Sequence, residues 1–199
     1  MLIAELPAGL CLDYANTLAW RGRETPAESL QDFAGLVTWL RQRGAVDRET
    51  ATDAKRWARE RPAAAAKQFA QAIGLREALY RAFSAVAAGH AVPVEDFHLV
   101  QEALAQAPAR SHLVCANRSF GWEVAMPSPT VPALLAPVLW SAADLLVTAG
   151  RQRVRRCAND ACLWLFLDVS RNGTRRWCDM ASCGNRAKAR RHYLKHKQA

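Results

Sequence analysis

Through most of the chain apolar residues recur every three or four positions, the spacing that gathers them on one face of a helix. Leu10, Tyr14, Thr17 and Leu18 predict a short buried helix within residues 9–20. Thr25-Pro26-Ala27-Glu28 reads as a capping box with proline at the first helical position. A second helix is expected from there to Arg43, burying Leu30, Phe33, Val37 and Leu40 and ending at Gly44. A third, over 47–60, has few apolar residues beyond Trp57. Residues 62–88 predict a long helix with two apolar faces, Phe69, Ile73, Tyr80 and Phe83 on one and Leu75, Leu79 and Val86 on the other. Such a helix belongs at the centre of a fold. Pro93 opens another through Gln106, carrying Phe97, Val100 and Leu104.

The period then changes. Residues 111–126 (HLVCA, NRSFG, WEVAM) read as a β-hairpin. Thr130 is placed to cap a further helix through Leu134, Val138, Leu139, Ala142, Leu145 and Leu146, which Pro137 either kinks or begins. Residues 151–156 form a basic connector. Leu163 to Ser170 is apolar, aromatic and β-branched, a strand; Arg171-Asn172-Gly173 is turn chemistry; residues 174–178 return as a second strand. Asp179 can cap a terminal helix rich in Ala, Lys and Arg, starting at Met180 or only after Asn185.

Charge divides the chain where the pattern does. Residues 151–199 hold 13 Lys and Arg against 3 Asp, a net of +10, while residues 1–150 hold 14 against 15 acidic residues, a net of −1. A boundary at Gly150 follows, with a helical domain over 1–150 and a small unit over 151–199. The longest apolar run, 131–150, is broken by Pro132, Pro137 and Asp144, so a membrane span is not expected. Residues 1–10 contain Glu5 and no basic leader, and a cytoplasmic location is expected.

Cys157, Cys162, Cys178 and Cys183 are spaced C-x4-C-x15-C-x4-C within the basic unit. Two close pairs separated by a hairpin-length insert suit one tetrahedral Zn²⁺. In a reducing compartment such pairs favour metal over disulfide. Four thiolates close the coordination shell, which makes the zinc structural, and no HExxH-type motif is present; an enzyme is not expected. The order knuckle, hairpin, helix is that of treble-clef zinc folds. The fold class expected is mainly α with a small β-hairpin (α+β), a helical N-terminal domain plus a treble-clef-like zinc finger with four cysteine ligands. Trp164 and Phe166 should pack on the terminal helix or on the N-terminal domain. Cys11 and Cys115 stand alone in apolar segments and are expected in the core.

Cys183-Gly184-Asn185-Arg186 spells CGNR, and WLFLDVSRN…RRWCDMASCGNRAKARRHY resembles the finger of the CGNR zinc finger family. Chains of that family carry an N-terminal domain called ABATE. Gly9–Leu18, Leu75–Gly89 and Trp140–Val147 resemble it here. The resemblance implies a transcription regulator or nucleic-acid-binding protein.

The basic residues point the same way. Arg171, Arg175, Arg176, Arg186, Lys188, Arg190, Arg191 and Lys195 are the candidate nucleic-acid contacts, joined by Lys197. Such a set suits phosphate contact more than base reading. DNA is expected before RNA. Asp13, Asn16 and Arg21 are polar residues in or beside an apolar segment, either holding the first helix in place, lining a small-molecule pocket, or supplying an enzymatic acid/base group, for which a lone carboxylate without a positioned partner is weak evidence. The N-terminal domain would then sense a ligand or mediate association, for instance as a homodimer. The alternatives are a finger that binds an acidic protein partner, or a small-molecule-binding domain with a purely structural finger.

Overall fold

The structure, a computed structural model, describes residues 2–3, 7–116, 119–124, 129–148 and 153–197. In chain order its elements are β1 (Leu2–Ile3), α1 (Leu10–Ala15), β2 (Leu18–Ala19), β3 (Ala27–Glu28), α2 (Phe33–Gln42), α3 (Arg48–Glu60), α4 (Pro62–Ala88) and α5 (Val94–Gln106). There follow β4 (His112–Ala116), β5 (Ser119–Glu123), α6 (Val131–Leu134), α7 (Ala136–Val147), β6 (Val154–Arg156), β7 (Leu165–Leu167), a π-helical turn Met180–Gly184, and α8 (Asn185–Lys197). The mainly helical architecture with small antiparallel pairs matches the expected class.

Helix α1 is the hub. Leu10, Cys11, Tyr14 and Ala15 are fully buried, and the helix packs against α4, α7 and β7. The Tyr14 hydroxyl donates to the Ala72 carbonyl of α4 at 2.7 Å, and the Cys11 amide donates to Ser141 Oγ of α7 at 3.2 Å. Helix α4 buries Leu75, Leu79 and Phe83, as its central position requires. Pro137 lies in the first turn of α7, after a break at Leu135, so it marks a start. No helix among the described residues is long and apolar enough to cross a membrane.

Three sequence expectations need correction. The capping box at Thr25 does not form: Ala27–Glu28 is a strand paired with β2, and the Asp32 side chain caps α2 by accepting from the Gly35 amide at 2.7 Å. Glu28 is drawn away by Arg76, only 2 % exposed, whose Nη1 donates to it at 2.7 Å. Arg76 also donates to Glu77 at 2.9 Å, so two carboxylates hold one buried guanidinium. Second, β7 does not pair with residues 174–178. It pairs antiparallel with β6, Val154 opposite Leu167 and Arg156 opposite Leu165. The last three residues of the basic connector, Val154–Arg156, are therefore a strand, and the first cysteine pair sits in the loop of a hairpin instead of before one. Third, Cys115 is exposed: β4 is the edge of the order β1-β5-β4, and its face is not covered there.

Candidate metal centre and basic face

Strands β6 and β7 bring Cys157 and Cys162 together. The Cys157 amide donates to the Trp164 carbonyl at 2.8 Å, and the Cys162 amide donates to the Asn159 carbonyl at 2.8 Å, which closes a tight knuckle. Cys183 lies in the π-helical turn and Cys178 just before it; the start of the turn is capped by Asp179 accepting from the Ser182 amide at 2.7 Å. The segment between the pairs is held without a strand ladder. Asp168, fully buried, accepts from the Ser170 and Arg175 amides at 3.0 and 2.9 Å, and the Ala158 amide donates to the Arg176 carbonyl at 2.9 Å. The Ser170 hydroxyl, which donates to Asp168, and the two amides hold its carboxyl below the usual range.

All four Sγ atoms lie within 4.8 Å of one another, with Cys162 and Cys178 at 3.7 Å and Cys178 and Cys183 at 3.8 Å. A tetrahedron with Zn–S near 2.3 Å has sulfur–sulfur edges of about 3.8 Å, so the donor set fits one zinc ion. Three of the cysteines are buried and Cys178 is half-buried. As bare thiols they share protons: the hydrogen bond with Cys178 pushes Cys162 down to about 5, the same bond pushes Cys178 up, and burial pushes Cys157 up. A dication takes the place of those protons and supplies folding free energy. Asn159 Nδ2 donates to Cys183 Sγ at 3.4 Å, an outer support for a metal-bound thiolate.

The hairpin is fused to the helical core. Val154 and Leu165 belong to the same buried cluster as α1, α4 and α7. Asn16 clamps Leu165 at both backbone groups, donating to its carbonyl at 2.7 Å and accepting from its amide at 3.0 Å. The Tyr80 hydroxyl donates to the Leu163 carbonyl at 2.9 Å. Phe166 packs beside the thiol cluster and Trp164 stays 38 % exposed; Leu165, between them, enters the core.

The three polar residues of the first segment are not gathered in one place. Asp13 and Asn16 line a cleft of about 340 Å³ with Trp164, Phe166 and Val169. Asp13 pairs with Arg43 at 3.1 Å, and burial raises its carboxyl while Arg43 lowers it. Arg21 lies apart, bidentate on Glu77 at 2.6 and 3.0 Å and 3.8 Å above the Tyr80 ring.

Among the cations, Arg171, Arg176, Arg186, Lys188 and Arg190 are exposed. Arg175 is turned inward, donating to the Trp177 and Cys178 carbonyls with its guanidinium 4.7 Å from the Phe166 ring. Arg191 and Lys195 fall on α8, but their side chains lie outside the described part, as do those of His192 and His196. The boundary residue Gly150 is also outside it.

The model of the ABATE family, described as "Putative stress-induced transcription regulator", matches residues 8–149. The chain belongs to the ABATE family. The model of the CGNR zinc finger matches residues 153–196, so this ABATE protein carries the finger that its CGNR motif indicated. It is a regulatory zinc-finger protein, and neither family is a catalytic domain. No curated protein matches the chain.

Sequence reasoning passed over one part of the centre. Trp20, from the ABATE part, packs on the cysteine cluster. Gly22 seats against the knuckle: a Cβ there would come within 1.7 Å of the Asp160 carbonyl oxygen. The signal available in sequence was the run Trp20-Arg21-Gly22-Arg23, an aromatic outside the apolar set of the first helix followed at once by a polar loop with a glycine.

Proposed function

We propose that this ABATE protein is a nucleic-acid-binding transcription regulator, with its zinc-held finger as the contact element and duplex DNA as the polymer. The observation that carries the reading is charge left without an internal counter-charge. Arg171, Arg176, Arg186, Lys188 and Arg190 are exposed on the finger, and none of them joins an ion pair among the described residues. Cations fixed on a metal-held scaffold suit the phosphate backbone, and their uniformity favours contact with any sequence over base readout.

The division of labour follows the family boundary near Gly150. Residues 151–199 supply these exposed cations, and residues 1–150 also sense a small molecule or mediate self-association. The cleft beside Asp13 and Asn16 is the candidate ligand pocket, its floor formed by the β7 strand that also supports the finger. A cytoplasmic protein acting as a homodimer fits this reading. The test is Arg190→Ala in zinc-loaded protein. Loss of one phosphate contact should weaken binding about fivefold at 0.15 M salt, for all duplex sequences alike. Unchanged affinity in Arg190→Ala and Lys188→Ala would remove the finger from the contact.

A further inference from the structure

One ring joins the two family segments. Two guanidinium groups from opposite ends of the chain rest on one indole: Arg23 Cζ lies 4.0 Å and Arg186 Cζ 4.7 Å from the Trp20 ring centroid. Both arginines are exposed, and neither has a carboxylate within ion-pair distance among the described residues; Glu24, next to Arg23, makes no such pair.

We propose that the Trp20–Arg23 turn of the ABATE part is one half of the nucleic-acid contact, Arg23 and Arg186 forming a single phosphate-binding pair mounted on Trp20. This rests on the nucleic-acid reading above. The turn is built to hold its place. Arg21 anchors one side on Glu77 and Tyr80. Gly22 lets the backbone reach Asp160 of the knuckle, where any side chain would collide. Trp20 holds φ at 58°, in the left-handed region, and so does Leu163 on the knuckle side, whose carbonyl is gripped by Tyr80. Left-handed non-glycine residues persist only where surrounding contacts over-determine them, and they cluster at functional sites. Both of these sit where the ABATE part meets the finger.

The chemistry then selects the ligand. The ring attracts each guanidinium, but no carboxylate among the described residues neutralises either one. A phosphodiester supplies the missing anion and matches the planar fork of each guanidinium. Stacking on the indole restricts both side chains beforehand, so less freedom is lost on binding. The contact would therefore span both family segments, and the pair would be complete only when the knuckle is seated on the turn.

The experiment uses full-length, zinc-loaded protein and a fluorescent duplex DNA titrated across salt concentrations. Arg23→Ala should weaken binding about fivefold at 0.15 M salt and make log K against log salt shallower by about 0.9. Arg23→Lys should restore the slope, and Arg59→Ala, an exposed cation on α3, should change neither. If Arg190→Ala weakens binding but Arg23→Ala leaves affinity and slope intact, the turn is only a brace: the pair is refuted and the nucleic-acid reading stands. If Arg23→Ala lowers affinity with no change of slope, the effect is structural and the pair is likewise refuted. If Arg23→Ala, Arg190→Ala and Lys188→Ala all leave binding unchanged, both readings fall. Binding to polyglutamate as tight as to DNA would assign the face to an acidic protein and overturn the proposal.

Discussion

Replacing Asn16 by alanine tests the most specific link in the fold. Its amide group donates to the Leu165 carbonyl at 2.7 Å and accepts from the Leu165 amide at 3.0 Å, across 149 positions of sequence. Asn16 is 6 % exposed and Leu165 is 1 % exposed, so water does not readily replace the lost partner. Truncation orphans one buried donor and one buried acceptor, each costing about 1–3 kcal/mol. A loss of about 3 kcal/mol is expected, or roughly 6–12 °C in Tm for a chain of this size. Because Leu165 follows Cys162 by three positions, β7 should also slacken and zinc affinity should fall. Asn16→Asp should not rescue at neutral pH, since a carboxylate can take the amide hydrogen but repels the carbonyl. Thermal unfolding of zinc-loaded protein and competition with a chromophoric chelator measure the two effects. A Tm within about 2 °C of the parent, smaller than a 1 kcal/mol loss gives at this size, with unchanged zinc affinity, would refute the claim that this clamp joins finger to core.

Further outcomes follow from the same contacts. Glu77→Ala leaves Arg21 and the buried Arg76 each short of a partner; Glu77 is 27 % exposed, so the loss should be about 2–3 kcal/mol in denaturant unfolding, below the cost of breaking a wholly buried pair. Asp168 titrates below its ordinary 3.8 when folded, chiefly through the Ser170 hydroxyl, so the unfolded chain takes up the proton first. Its stabilisation is present above the unfolded value of 3.8 and disappears as pH falls through the lower folded one; Asp168→Asn should be less stable at pH 7 and lose less on acidification, seen as a flatter acid limb of the Tm profile. Removing zinc by chelation should lower the stability of the helical part too, by about 3 kcal/mol or more, since Val154 and Leu165 lie in its core. Calorimetry showing an unaltered main transition after chelation would contradict that coupling.

The sequence made the helices legible because their apolar stripes are local. Leu36 and Leu40 in α2, or Leu75, Leu79 and Phe83 in α4, need no knowledge of distant partners. The metal centre was legible for a related reason: cysteine spacing carries its own geometry. What escaped was set by distant residues. Glu28 looked like a capping residue until Arg76, 48 positions away, claimed its carboxylate. Strand β6 was hidden because Val154 is its one apolar residue among arginines, and it becomes a strand by pairing with β7 across the knuckle. Asn16 gave no hint that its partner was a backbone, and Trp20 none that it would lie on sulfur. In each case the missing information was tertiary contact overriding a local preference.

The proposed function rests on a zinc-held cationic surface meeting a phosphate backbone. The direct measurement is duplex DNA affinity of the intact protein as a function of salt, before and after chelation, with metal content determined on the same sample. The expected result is about one zinc per chain, log K falling linearly with log salt at about 0.9 per phosphate contacted, and loss of binding when the metal is removed. Binding indifferent to salt or to chelation, or none at low salt by zinc-loaded protein, would contradict it.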